Sequence, residues 1–261
     1  MNDAIIRNNF RVINLDKVYD VPVINENKGK QWVEFGTDNL FMEFLVDTYN
    51  SKSITAKSII DAEVDMIAGN GWEVTGNESI GFRDFMRNKW DDDNLDDILF
   101  KCALDERILG GFALNVIWDI TGTRISRISH VPFESIRYDV EYYRQENWTK
   151  RSPRYFWVSN DWKNYRRNSW FGAQPKKVQE FSDEFKEEKS QLLYYKRYTK
   201  TQYYPIVKYH TALNWIIADW EISNYHRAAI QNGFLAGYIL TFTHDTTDEQ
   251  KEAILRDIEE N

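Results

Sequence analysis

The sequence is poor in the residues that cross-link or punctuate a chain. Among 261 residues there is a single cysteine, Cys102. That excludes an internal disulfide framework and fits a reducing compartment. Five prolines and twelve glycines leave little material for long linkers or low-complexity tails. The four histidines, His130, His210, His226 and His244, are scattered, with no pair at i and i+4 to hold zinc on one helix face. A glycine-rich phosphate loop and a nucleophile elbow are both missing. The opening residues MNDAIIRNNF lack the basic-then-apolar pattern of a signal peptide. Asn77-Glu78-Ser79 and Asn147-Trp148-Thr149 match the glycosylation sequon, but without secretion they are chance matches. The longest apolar stretch, Leu213 to Trp220, is interrupted by Asn214 and Asp219 and is too short to span a bilayer. A soluble, intracellular protein without membrane partners is expected.

What the chain has in quantity is aromatic: 10 Trp, 15 Tyr and 15 Phe. Such a load implies extensive packing or extensive partner contact, because large rings dominate both. The formal charge of −8 conceals an asymmetry. Residues 144–208 hold 15 Lys and Arg against 7 Asp and Glu, together with 15 of the rings, while the remainder is strongly acidic. A split of this kind indicates differentiated surfaces.

Periodicity divides the chain by secondary structure. Residues 1–50 read as irregular. Ser53 caps a helix in which Ile60, Val64 and Ile67 recur at i, i+4 and i+7, leaving through Gly69-Asn70-Gly71. A second helix is expected over Ile80 to Trp90. Asn94 caps a third, with Leu95, Ile98, Leu99, Cys102 and Ile108 as its stripe and Gly110-Gly111 as its stop. The period then changes to two. Strands are expected over Phe112 to Trp118, Arg124 to Val131, Ile136 to Val140 and Leu192 to Tyr198, with no sustained period over 141–190. The longest helix runs from Tyr209 to Asn232, before a strand at Tyr238 to Thr243. Thr246-Thr247-Asp248-Glu249 caps a last helix with Ile254, Leu255 and Ile258 on one face. The fold class is α+β, with helices in 53–109 and 209–260 and strands mainly in 112–140 and 192–198.

Chemistry has little to rest on. The acidic run Asp91 to Asp97 has the flavour of a calcium loop but lacks Gly at its sixth position and Glu at its twelfth, which is Cys102. It reads instead as acids complementing a helix N-terminus. Cys102 itself lies on an apolar stripe. No catalytic residue, metal ligand or cofactor is expected, although an enzyme such as a carbohydrate hydrolase would need only two facing carboxylates. The basic middle interleaves Tyr155-Phe-Trp, Trp162, Tyr165-Arg166-Arg167, Trp170-Phe171 and Lys176-Lys177. Rings there could stack bases while cations meet phosphates, in a single-stranded nucleic-acid binding module over 144–208. They could equally serve a protein contact, or the buried side of a solvated basic β-domain.

Four stretches, in order, resemble the portal proteins of tailed bacteriophages, most closely forms from Bacteroidetes phages. The first is Trp32-Val-Glu-Phe-Gly-Thr-Asp-Asn-Leu-Phe41 with Leu45 to Ser53 and Ile67-Ala-Gly-Asn-Gly-Trp72. The second is Asp105-Glu-Arg-Ile-Leu-Gly-Gly-Phe-Ala-Leu114, leading through Ile125 to Val131-Pro132. The third is Tyr203-Tyr-Pro205, followed by Trp215 to Asn232-Gly-Phe234, and the fourth is Tyr238 to Phe242. The match spans residues 30–260 and is loose over 144–190. The resemblance implies portal-like wing and stem helices with an inserted β-rich, clip-like region. It assigns 1–140 to the wing, 141–208 to the clip-like part and 209–261 to a stem or wing-like helical part that continues beyond residue 261. It further implies a homo-oligomeric ring, a dodecamer, at the capsid portal vertex of the virion, assembled in the host cytoplasm. Double-stranded phage DNA would pass through the channel. The terminase large subunit, the major capsid protein and head-tail connector proteins would be its partners. One physical expectation accompanies this. Leu213, Ile217 and Trp220 fall at i, i+4 and i+7 on one helix face, so Trp215 and Ile222 need separate cover, which the next subunit would supply.

Overall fold

The computed structural model describes residues 22–71, 85, 93–143, 153–163, 174–184 and 188–231. The architecture is α+β. Two short strands, β1 (Glu26–Lys28) and β2 (Val33–Phe35), form an antiparallel hairpin. Helix α1 (Phe41–Asp47) follows and passes through a π turn at Thr48–Lys52 into α2 (Ile54–Ala68). Helix α3 (Leu95–Leu109) leads directly into β3 (Gly111–Trp118) and β4 (Ile125–Val131). Strands β5 (Ile136–Tyr138), β6 (Tyr155–Val158), β7 (Lys176–Glu180) and β8 (Ser190–Lys196) complete a six-stranded sheet. Its order is β4-β3-β8-β7-β6-β5, antiparallel throughout except for the β7–β8 pair. Helix α4 (Leu213–Gln231) follows a 3-10 turn at His210–Ala212.

Local chemistry explains the helix ends. The Ala56 amide donates to Ser53 Oγ at 3.3 Å, the N-cap expected for α2. At α3 the Asp97 amide donates to Asn94 Oδ1 at 2.9 Å and the Asn94 amide returns to Asp97 Oδ2 at 3.0 Å. This reciprocal capping box is what the acids at the end of the Asp91–Asp97 run do. Gly110 stops α3 at φ 84°, a left-handed conformation that favours glycine.

The core lies between one face of the sheet and the helices. Ala113, Phe133, Tyr138, Phe156 and Leu192 pack there with Phe35, Leu45, Val64 and Leu213. Phe112 and Leu114 instead meet Ile98 and Cys102 of α3 in a smaller cluster. Tyr203-Tyr-Pro205 is wholly buried. Glu26 fastens it by accepting from the Tyr203 and Tyr204 amides at 2.9 and 2.7 Å, and the Tyr204 hydroxyl donates to the Val33 carbonyl.

Several expectations need correction. Residues 22–50 are not irregular: the β1–β2 hairpin and α1 form there, with Phe41, Met42 and Leu45 buried. Both strands have three residues, too few for alternation to register. On α2 the inner stripe is Ile60, Val64 and Ala68, while Ile67 is 46% exposed. Ile67 and Ala68 flank the fully buried Val64 at i+3 and i+4, and the packed neighbours lie on the side of Ala68. The 141–190 stretch supplies β6 and β7 to the main sheet. The boundary expected at residue 140 therefore falls inside that sheet, since β5 before it pairs with β6 beyond it. The chain divides into two compact units, Met1–Trp220 and Glu221–Asn261, and Leu213 belongs to the core of the first. Expected elements over 80–90 (Phe85 apart), 238–243 and 247–260 lie outside the described residues.

Candidate interaction surface

The first two turns of α4 have one side in the core and another in solvent. Leu213 and Ile217 are buried, as the helical spacing predicts, and Trp215 is 79% exposed. Between these turns and α2 runs a groove of about 440 Å³. Ala56, Ile59 and Ile60 of α2 form one wall; Ala212, Trp215 and Ile216 form the other. Elsewhere on α2, Ile54 and Met66 are more than four-fifths exposed. A single exposed apolar side chain is ordinary, but a contiguous group lining a concave face marks a contact surface.

The two ends of the groove differ in charge. At one end the Ser53 hydroxyl donates to Asp219 Oδ2 at 3.4 Å, so the residue that caps α2 also ties it to α4. Beside it the Lys52 ammonium lies 4.4 Å from the Phe44 ring and 5.9 Å from that of Trp220. At the other end Arg107 pairs with Glu63 at 3.1 Å and with Glu106 at 3.4 Å, and Arg197 also binds Glu106. The Tyr209 hydroxyl donates to the Ile108 carbonyl at 2.8 Å, fixing the turn that carries Lys208. Lys208 is exposed, and the acid that acts on it is Glu63, which is itself paired with Arg107. The Lys208 pKa lies below the ordinary lysine value, through lost hydration first and then repulsion by Arg197 and Arg107. The groove is thus apolar in the middle, anionic at Asp219 and cationic at Lys208.

The rings of the basic middle are placed differently. Phe156 is fully buried in the core. The Trp162 indole donates to the Ser135 carbonyl at 2.8 Å and the Trp157 indole to Asp139 at 2.9 Å. Trp32 meets both edge-on, Trp162 at 5.1 Å and Trp157 at 5.7 Å. The Lys177 ammonium sits 4.6 Å above the Tyr155 ring and pairs with Asp139 at 2.9 Å. Phe156, Trp157 and Trp162 are thus held in the β-layer, whereas Tyr198 of the same region is 89% exposed. Tyr165, Arg166, Arg167, Trp170 and Phe171 lie outside the described residues.

The titratable groups that might have suggested chemistry have structural neighbours. His130 Nε2 lies 2.8 Å from Asp105, whose same oxygen accepts from the Phe133 amide at 3.1 Å, joining α3 to the end of β4. His210 abuts the Phe41 ring and His226 that of Tyr225; His244 lies outside the described residues. Burial, and then Asp105, pushes the Cys102 thiol up to about 12. Among the described residues no group of three or more His, Cys, Asp or Glu could hold a metal ion. Nor is any described helix long and apolar enough to cross a membrane.

One polar centre gave no sequence signal. Arg137, in a strand of three residues, is fully buried. Its Nε donates to Asn39 Oδ1 at 2.6 Å, and Nη2 donates to the Asn39 carbonyl at 2.8 Å and to Glu43 at 3.2 Å. Nη1 donates to the Glu134 carbonyl at 2.6 Å. Its role is to join α1 to the sheet edge.

Neither a protein-family model nor a curated protein sequence matches the chain.

Proposed function

We propose that this chain is a structural subunit of a tailed-phage portal ring, which lines the capsid-vertex channel for DNA packaging and ejection. The order of the four stretches that resemble portal proteins supports the reading, and one observation carries it. Trp215 stands 79% exposed beside an apolar groove, on a helix whose opposite face is in the core. A neighbouring copy would cover that face, and a cyclic ring meets its neighbours through unlike surfaces. The terminase large subunit, major capsid protein and head-tail connector proteins are the corresponding partners. The subunit itself carries out no hydrolysis. The alternative of a single-stranded nucleic-acid binder over 144–208 is less favoured, because the Phe156, Trp157 and Trp162 rings are engaged in packing or indole hydrogen bonds, which leaves Tyr198 as the strongly exposed described ring there.

Electron microscopy and mass photometry of the full-length protein test this reading. Ring-shaped particles are expected. Trp215→Ala should lower ring yield while circular dichroism stays unchanged, since an exposed ring contributes little to the monomer. A protein that remains monomeric at all concentrations overturns the proposal.

A further inference from the structure

The groove between α2 and α4 has a charge order that restricts its occupant. Asp219 marks one end and Lys208 the other, with apolar side chains between them. Ser53 and Glu63 line opposite ends of the α2 wall, ten helical residues or about 15 Å apart. A helix laid in such a groove needs a cation, an apolar middle and an anion on one face, in that order.

We propose that the occupant is residues 247–260 of a second copy of the chain, an inference that rests on the ring reading above. In the helical register read from the sequence, Lys251, Ile254, Leu255 and Ile258 fall at i, i+3, i+4 and i+7, on one face. Glu259 stands at the edge of that face. Along a helix Lys251 and Glu259 stand about 12 Å apart, close to the length of the groove wall. Lys251 then meets Asp219, and Glu259 meets Lys208. Ile254, Leu255 and Ile258 cover Ile59, Ile216 and Trp215. Six acids and two bases in the segment add a general preference for the cationic end. Trp215, 79% exposed, is the ring such a segment would cover. Segment and groove are different surfaces, so the contact repeats head to tail and can close into a ring.

A charge swap in the full-length protein tests the pairing. Lys208→Glu and Glu259→Lys should each weaken association about fivefold, as expected for a rim pair. The double variant should recover it, with circular dichroism unchanged in all three. Independently, Ala212→Cys with Leu255→Cys should give a disulfide-linked ladder of subunits on a non-reducing gel. The native Cys102 is buried and should not contribute. No recovery in the double variant, or a disulfide formed only within monomers, overturns the docking. The two readings fail separately. Closed rings that ignore the charge swap leave the ring and sink this contact. Charge recovery in open chains, without closed rings, keeps the contact and sinks the portal reading.

Discussion

Arg137 and Asn39, 98 positions apart in the chain, are joined by two hydrogen bonds, from Nε to the side-chain oxygen and from Nη2 to the carbonyl. Through them a short edge strand holds the turn that leads into α1. A fully buried guanidinium is expensive to desolvate, and it is tolerated only because its donors are met. Asn39 itself sits at φ 59°, a conformation Asn adopts more readily than most residues. Position 39 therefore supplies both a turn and an acceptor.

Arg137→Ala leaves Asn39, Glu43 and the Glu134 carbonyl without their shared donor. A loss of about 3–5 kcal/mol is expected, the range for breaking a buried charge network from one side. Urea denaturation followed by circular dichroism measures it. A loss below about 1 kcal/mol would show that the network is not needed for stability.

Glu43 gives a pH dependence of defined sign. Burial raises its pKa above 4.5, and Arg137 opposes the shift without cancelling it. The side chain is still one-third exposed, so the effect is modest. A raised pKa means that the unfolded chain releases this proton first. The contribution is therefore complete below pH 4.5, the unfolded value, and is lost as pH rises through the folded value. Glu134 shifts in the same direction, again mainly by burial. Glu43→Gln should flatten the decline of stability as the pH is raised above 4.5. An unchanged slope in thermal melts across that window would assign the effect elsewhere.

Cys102 should be chemically silent in the folded protein. With its thiol pushed up to about 12, less than about one part in a thousand is thiolate at pH 8. A disulfide reagent at that pH should label the chain only as fast as it opens, and fully in denaturant. Rapid labelling of the native protein would contradict the packing of Cys102 beneath Phe112 and Leu114.

The sequence by itself determined the elements whose signal is local. Ser53 and Asn94 announce helix starts because a side-chain oxygen can reach an amide three residues ahead, whatever the rest of the fold does. The stop at Gly110, the change of period beyond it and the inward face of α4 at Leu213 and Ile217 were legible for the same reason. The same spacing left Trp215 and Ile222 without cover, and both are exposed. What tertiary structure decided was pairing and partnership. Strands of three to five residues at β1, β2, β6 and β7 are too short for alternation to show. Ile67 and Ala68 compete for one inward position on α2, and only the packed neighbours choose between them. Arg137 looks like any surface cation until Asn39 and Glu43 are brought to it. Likewise the groove brings Asp219 beside Ser53, 166 positions earlier. Local bonds are written in residue order, whereas a surface is assembled from residues that only the folded chain makes neighbours.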